Sequence, residues 1–216
     1  MSKKALVLAG SSGIGEAIAK SLKNISVEVH TTSSKELDTS NLDQVKKFID
    51  KQNNTDILVL NTGGPPAKKF FDITEDDWDK YHKQLFLSFA IILQRLKINK
   101  DGYIFLISSY NIKEPDSKLI LSNSYRVAFT SVLKSLSLHF ADDNISCINI
   151  APGPIKTRRL KNLVSDMKAF EEKLPMKRAG KAEEIGDFVS SIINNNIKYL
   201  TGVTINFDGA KSKYIF

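Results

Sequence analysis

The stretch from Lys4 to Gly15, KALVLAGSSGIG, decides the fold class. A short aliphatic run leads into three glycines within six residues, and a segment of helical periodicity follows. Glycines let the backbone turn tightly and approach a pyrophosphate, whose charge is stabilised by free N–H groups at a helix start. The pattern predicts a strand, a dinucleotide-binding loop and a helix; the alternative is a tight turn that is glycine-rich by chance. The loop residues expected at the nucleotide are Gly10, Ser11, Ser12, Gly13, Ile14 and Gly15.

The rest of the chain alternates short aliphatic runs with longer segments whose apolar residues lie three or four positions apart. This alternation is typical of βαβ units around a buried parallel sheet. We predict a single domain over residues 1–216 with an α/β, Rossmann-type, doubly wound and mostly parallel sheet of about seven strands in a three-layer α/β/α arrangement. The predicted strands are Lys4–Ala9, Val27–Thr31, Asp56–Asn61, Tyr103–Ser108, Ser146–Ile150 and Val203–Phe207, with a short seventh near Glu36–Asp38. Between Thr31 and Asp56 the chain is too short for two complete crossover units, so one helix there should be reduced to a loop.

The composition is that of an ordinary globular protein, with 42% hydrophobic and 25% charged residues. A net charge of +7 favours anionic partners, although charge alone cannot choose among them and scattered lysines usually form a solvated surface. Nucleic-acid binding rests on this charge only, and we do not expect it. No apolar stretch approaches the roughly 20 residues that span a bilayer, so no membrane association is expected. The single cysteine, Cys147, lies in an apolar run and fits a cytoplasmic protein.

Further segments follow the predicted strands. Asn61–Gly64 comes after the third, Ile107–Ser109 ends the fourth, and Asn149–Thr157 spans the end of the fifth and the loop after it. Together with the glycine loop they resemble the short-chain dehydrogenase/reductase family along nearly the whole chain. The resemblance implies hydride transfer between a nicotinamide cofactor and a carbonyl or secondary alcohol. The further cofactor-binding residues that it implies are Asn61, Thr62, Gly63, Pro152, Gly153, Ile155 and Thr157.

The resemblance also implies a catalytic tyrosine, a serine that hydrogen-bonds the substrate oxygen, and a lysine four residues after the tyrosine. Tyr125 matches the tyrosine, and Ser109, in preference to Ser108, matches the serine. Phe129 stands at the lysine position and Leu85 at that of a central-helix asparagine, and the interval from Ser109 to Tyr125 is longer than usual. Two hypotheses follow. In an active oxidoreductase, replacing Tyr125 would abolish turnover; in a catalytically silent dinucleotide-binding regulatory protein, Tyr125 would simply pack in the core.

Cofactor preference in such folds is set at the end of the second strand, where a carboxylate binds the ribose hydroxyls and excludes a 2′-phosphate. No carboxylate precedes Glu36 here, and Ser33 and Lys35 could receive a phosphate. We therefore prefer NADP to NAD. Against this, Ser12 stands where phosphate-selective relatives often carry a basic residue, and Lys35 could be a solvated loop charge.

The segment Thr157–Lys173 stands in the place of the family's substrate lid. Its basic residues Arg158, Arg159 and Lys161 suit an anionic substrate or carrier, or form a plain amphipathic surface helix. We expect a small-molecule carbonyl substrate, with an acyl thioester as one candidate. The resemblance implies a homodimer or homotetramer, formed through two central helices and the tail Tyr214–Phe216. The three histidines are far apart with no ligands at metal spacing, so no metal site is expected.

Overall fold

The computed structural model describes residues 2–215. Its strands are β1 (Lys4–Val7), β2 (Glu28–Thr31), β3 (Asn54–Leu60), β4 (Lys97–Ile107), β5 (Ser146–Pro152) and β6 (Val203–Phe207). Its α-helices are α1 (Gly13–Asn24), α2 (Leu42–Ile49), α3 (Glu75–His82), α4 (Ser88–Arg95), α5 (Ile120–Ala141), α6 (Arg158–Leu163), α7 (Met167–Glu172) and α8 (Ala182–Asn194). Short 3₁₀ turns occupy Phe70–Asp72 and Tyr110–Ile112.

All six strands pair in parallel, in the order β2-β1-β3-β4-β5-β6. After β2 the chain crosses to the other side of β1, where β3 begins the second half of the sheet. In open α/β sheets ligands bind outside the carboxyl ends of the strands at such a switch point. The topology thus directs attention to the loops that follow β1, β3, β4 and β5.

Helices cover both faces of the sheet, which confirms the predicted three-layer architecture. On one face α1 and α8 bury their apolar sides, for example Ile18 and Ile185, against side chains of β1, β3, β4 and β5, such as Val7 and Val59. On the other face α2, α4 and α5 pack against Leu6, Leu58 and their equivalents. Because both faces are covered, the strands read as nearly continuous apolar runs rather than as alternating patterns.

The expected seventh strand is not formed. Glu36–Asp38 lies in a turn and loop, where the Asp38 carboxylate accepts hydrogen bonds from the backbone and hydroxyl of Ser40. Between β2 and β3 the chain forms one helix, α2, and no strand. The short segment between Thr31 and Asp56 therefore lacks the seventh strand as well as one helix. As a result, β2 is the edge strand of a six-stranded sheet. The count of about seven is corrected to six.

The long central helix expected around Trp78 is interrupted. One turn of π-helix, Lys83–Leu87, joins α3 to α4. Leu85, at the position of the family asparagine, is 1% exposed and packs with Tyr81 and Leu121. Single turns of π-helix within α-helices occur frequently at functional sites.

The start of α3 provides a pH-dependent contact. Asp77 accepts hydrogen bonds from Lys68 Nζ at 2.5 Å and from the backbone N–H of Thr74, and these lower the pKa of Asp77 to about 2. The contribution of Asp77 to stability is therefore fully present above the pKa of an aspartate in the unfolded chain, about 4, and is lost as the pH falls towards 2. We expect Asp77→Asn to lower the urea midpoint at pH 7, and the difference from wild type to shrink at pH 2.

The control for that measurement is Asp76→Asn, which removes the same charge from the same helical turn. Asp76 is exposed and makes no side-chain hydrogen bond to the described residues. It should shift the midpoint little at either pH. Equal effects of the two variants at pH 7 would contradict the assignment.

Three further findings bear on the sequence analysis. Within the described residues no helix is long and apolar enough to cross a membrane. The same residues contain no group of three or more histidine, cysteine, aspartate or glutamate side chains arranged to hold a metal. Cys147 is buried in the core, which raises the pKa of its thiol to about 12 and leaves it unreactive.

Candidate active site

A cleft of about 350 Å³ opens at the carboxyl ends of β3, β4 and β5. One wall comes from Ile14 at the start of α1 and from Asn61 and Thr62 after β3. Ser109 after β4, the first turns of α5 and the segment around α6 also line the cleft. The residues of the loop after β5 that line it are Pro152, Gly153, Pro154, Ile155 and Thr157.

The glycine loop fits closely between the ends of β1, β2 and β3. A Cβ on Gly10 would lie 2.8 Å from Thr31 Cβ, and one on Gly15 would lie 2.4 Å from the Ala9 carbonyl oxygen. Gly13 has a φ of +60°, which favours glycine. The N-cap Ser12 makes no side-chain cap, so the first N–H groups of α1 stay available for an anion. This cradle fits the pyrophosphate of a dinucleotide.

The segment after β3 ties the glycine loop to the rest of the cleft. Asn61 Nδ2 donates to the Leu8 carbonyl at 3.4 Å, and Thr62 shares a 3.0 Å hydrogen bond with Thr39. The Gly63 carbonyl accepts from Gln84 Nε2 at 2.8 Å. Gln84 lies in the π-helical turn, one position before Leu85. The sequence analysis did not identify it, because its contact with Gly63 depends on the geometry of that turn.

The turn after β2 lies next to the glycine loop, on the open edge of the sheet. Thr32 Oγ1 accepts from Ala9 N at 3.1 Å, which joins the two loops. Ser33 accepts from Glu36 N at 3.3 Å, and Lys35 is exposed. Glu36 itself contacts His30 at 3.3 Å rather than the glycine loop.

The loop after β5 is held against the last strand. Gly153 N donates to the Phe207 carbonyl at 3.0 Å, and a Cβ on Gly153 would lie 2.7 Å from Asp208 Cα. Ile155 forms an isolated β-bridge with Gly180. Thr157 lies beside Gly13, and its Cγ2 would be 3.5 Å from a Cβ added to that glycine. The end of this loop therefore lies against the glycine cradle.

The two serines after β4 differ in their contacts. Ser108 Oγ donates to the Ile150 carbonyl at 3.2 Å and is turned to the neighbouring strand. Ser109 Oγ accepts from Asn111 N at 3.2 Å and keeps its hydrogen for another acceptor. Both residues line the cleft, but Ser109 has the hydroxyl that can donate to a substrate oxygen.

The structure does not bring Tyr125 into the cleft. Its hydroxyl donates to the Trp78 carbonyl at 3.0 Å, and its ring lies 5.4 Å from the His82 ring. Burial, with a smaller contribution from the charge of Asp79, raises the pKa of Tyr125 above its usual value of 10.0. These contacts hold the phenol on the α3 side of α5, away from Ser109, and stabilise its neutral form.

Phe129, at the expected lysine position, belongs to the core. It is 0% exposed, and its ring meets those of Phe86 and Phe89 edge-on with centroids 5.9 and 5.3 Å away. With Leu133 one turn on, it forms the stripe that packs α5 against the sheet. A side chain here cannot reach the cofactor cleft.

The residues that α5 does present to the cleft are Ser122 and Arg126. They are four positions apart and therefore lie on one helix face. Arg126 Nε donates to Ser122 Oγ at 3.2 Å, and Arg126 Nη1 donates to the Ile107 carbonyl at 2.7 Å. Burial and the charge of Arg159 lower the pKa of Arg126 to about 10, so the guanidinium stays charged at neutral pH.

Comparison with known proteins agrees with this geometry. A family model described as enoyl-(acyl carrier protein) reductase matches residues 25–210. The chain belongs to the short-chain dehydrogenase/reductase family. As a member it is an oxidoreductase that acts on CH–OH or C=O groups with NAD(P). This confirms the family, the class of reaction and the nucleotide cofactor expected from the sequence.

Three relatives illustrate the match. Dehydrogenase/reductase SDR family member 4 of Oryctolagus cuniculus is 30% identical, over 94% of this chain and 91% of the relative. A 3-oxoacyl-(acyl-carrier-protein) reductase of Buchnera aphidicola is 28% identical, over 96% of each chain. The structure of L-sorbose reductase from Gluconobacter frateurii, complexed with NADPH and L-sorbose, superposes with a TM-score of 0.85 at 22% identity, over 99% of this chain and 98% of that one. This last likeness concerns the fold.

The spacing of Ser122 and Arg126 equals that of the family's tyrosine and lysine. Placing the pair in those two positions moves the match three residues towards the N-terminus and shortens the interval from Ser109 by the same amount. The long interval in the sequence-based match was the signal that could have revealed this register. Tyr125 attracted the assignment because it was the tyrosine nearest the expected position.

Proposed function

We propose that this protein reduces a carbonyl group with NADPH in preference to NADH, and that Ser109, Ser122 and Arg126 act on the carbonyl oxygen. The observation that carries the proposal is that these three side chains line one cleft beside the glycine cradle, with Arg126 hydrogen-bonded to Ser122. A nicotinamide cofactor supplies the hydride in this chemistry. The residues proposed to hold the cofactor are the glycine-loop residues Gly10–Gly15, with Ser33, Lys35, Asn61, Thr62, Gly63, Pro152, Gly153, Ile155 and Thr157.

The roles follow from the donors that each side chain has left. Ser109 Oγ keeps its hydrogen and donates to the carbonyl oxygen. Ser122 Oγ accepts from Arg126, so its own hydrogen is free to pass to the same oxygen as the alcohol forms. The guanidinium stabilises the serine oxygen left behind, which then takes a proton from solvent water. The Arg126 guanidinium stabilises the negative charge that develops on oxygen, and fixed donors of this kind contribute most in sites that exclude water.

The substrate in this proposal is a small-molecule carbonyl compound. The name of one relative, a 3-oxoacyl-(acyl-carrier-protein) reductase, supports including acyl thioesters among the candidates. A homodimer or homotetramer remains a prediction, supported by the large apolar side chains Val127 and Leu138 that α5 exposes. In the tail, Tyr214 and Ile215 are exposed, while Phe216 lies outside the described residues.

The test is a fluorescence titration with NADPH and with NADH, followed by a panel of ketones, oxo acids and 3-oxoacyl thioesters. Tight binding with consumption of NADPH would support the proposed reductase. Tight binding without turnover of any carbonyl would favour the silent regulatory protein. Failure to bind either nucleotide would remove the dinucleotide site itself.

Lys35 provides a specific test of the preference for NADPH. Its exposed ammonium follows β2 next to the glycine loop, where a 2′-phosphate would lie. A charged hydrogen bond at a solvated site contributes only a modest binding free energy. We therefore expect Lys35→Ala to weaken NADPH binding by roughly three- to tenfold and to leave NADH binding nearly unchanged. The matched control is Lys23→Ala at the far end of α1, which should affect neither. Equal weakening of both nucleotides would contradict a phosphate contact.

A further inference from the structure

We infer that the carbonyl substrate of this cleft carries a carboxylate and that Arg159 binds it. The inference deepens the proposed reductase function and rests on it. It names the chemical class of the substrate as a short oxo acid, rather than a neutral ketone or a carrier-bound thioester. Two arginines that line the cleft without a carboxylate partner, Arg126 and Arg159, lead to it.

Arg159 is the only one of the three basic lid residues singled out in the sequence that lines the cleft. Its Nη1 donates to the Gly64 carbonyl and its Nη2 to the Pro65 carbonyl, each at 2.8 Å. These two bonds fix the guanidinium and leave three of its five N–H groups for another acceptor. Within residues 2–215 no carboxylate lies within 4.0 Å of it. The site is therefore a positioned cation without a protein anion.

The charged side chains that line the cleft carry a net positive charge. Arg126 likewise has no carboxylate within salt-bridge distance among the described residues, and the charge of Arg159 contributes to the lowering of its pKa. At the rim Asp116 and Lys118 offset each other. Two like charges in one partly desolvated cleft repel each other, and a bound anion would relieve that repulsion.

The surroundings of Arg159 favour a small anion with an aliphatic part. The same segment lines the cleft with Leu160, Leu163, Val164 and Phe170. Arg159 is partly buried, which reduces solvent screening around its guanidinium, and this burial lowers its pKa from the usual 12.5. A planar guanidinium with parallel N–H groups matches a carboxylate in two-point contact, and weak screening strengthens such a pair.

A cofactor phosphate is the competing anion, and the positions of the groups argue against it. The residue of the lid segment that lies at the glycine cradle is Thr157, whose Cγ2 would be 3.5 Å from a Cβ added to Gly13. Arg159 instead donates to the carbonyls of Gly64 and Pro65. These residues follow Asn61, the residue that is hydrogen-bonded to Leu8 just before the glycine loop. The guanidinium thus lies on the lid side of the cleft, where a substrate would enter.

The experiment measures binding with NADP⁺ present, so that no turnover occurs. Isothermal titration calorimetry compares 3-oxohexanoate with its methyl ester and with its N-acetylcysteamine thioester, on wild type, Arg159→Gln, Arg159→Lys and Arg158→Gln. Arg158 is the exposed neighbour on the same helix and loses the same charge. The NADPH affinity of each variant is measured in parallel, and circular dichroism verifies that each is folded.

We expect the acid to bind wild type at least about tenfold more tightly than either neutral analogue, since a charged hydrogen-bonded pair contributes that much. The preference should disappear in Arg159→Gln, persist in part in Arg159→Lys and remain in Arg158→Gln. Equal binding of acid and ester by wild type, a preference that survives Arg159→Gln, or an equal loss of NADPH affinity in that variant would overturn the inference. Because the readout is binding, a protein that prefers the acid but reduces nothing would refute the reductase proposal and leave the carboxylate site standing.

Discussion

Replacing Arg126 with glutamine is expected to lower kcat for carbonyl reduction by about a hundred- to a thousandfold. The variant keeps the size and some of the hydrogen bonds of the side chain but removes the positive charge beside Ser122 and Ser109. If that charge stabilises the oxygen as it becomes negative, its loss raises the barrier of the chemical step more than it weakens substrate binding. The measurement is steady-state kinetics at saturating NADPH, with kcat and KM reported separately.

The matched control on the same helix is Tyr125→Phe. It removes the hydroxyl that donates to the Trp78 carbonyl, outside the cleft, and is expected to cost about 1 kcal/mol of stability and to leave kcat nearly unchanged. The sequence-based match predicts the reverse, with Tyr125 essential and Arg126 secondary. Loss of turnover in Tyr125→Phe together with near-normal turnover in Arg126→Gln would therefore restore the sequence-based register and refute ours.

Introducing the family's lysine at position 129 is expected to unfold the protein rather than to improve catalysis. Phe129 is 0% exposed between Phe86, Phe89 and the sheet, and the described core around it offers no anion. Phe129→Lys removes a large aromatic side chain and buries an ammonium, so we expect a loss on the order of 4 kcal/mol or more in the free energy of unfolding. Urea denaturation followed by circular dichroism measures it.

Two further variants make that result interpretable. Phe129→Leu keeps the site apolar and should lose less than half as much stability. Asn24→Lys adds the same charge at an exposed residue at the end of α1, on the face of the sheet opposite α5, where we expect a change within about 0.5 kcal/mol. A stable Phe129→Lys protein with raised activity would show that position 129 faces the cofactor after all.

The sequence by itself determined the fold class, the positions of the six strands, the glycine loop and the family, although β4 begins at Lys97 rather than Tyr103 and the expected seventh strand is absent. These depend on local patterns: aliphatic runs of strand length, helical periodicity, and glycines at positions where a Cβ would collide, as at Gly10 and Gly15. Such signals need no knowledge of distant contacts. Ser109 was also within reach, because a residue that ends a buried strand necessarily lies at the ligand edge of the sheet.

Only the tertiary structure decided which face of α5 meets the cleft. Tyr125, Arg126 and Phe129 lie within two helical turns, and a rotation of about 100° per residue separates catalysis from core. The packing of Phe129 against Phe89 fixes that rotation. It turns Arg126 towards the end of β4 and Tyr125 towards Trp78. The same holds for Arg159, whose position depends on carbonyls 94 and 95 residues away in the chain. Contacts over such separations leave no periodic trace in a single sequence, which is why the fold and Ser109 could be predicted and the roles proposed for Ser122, Arg126 and Arg159 could not.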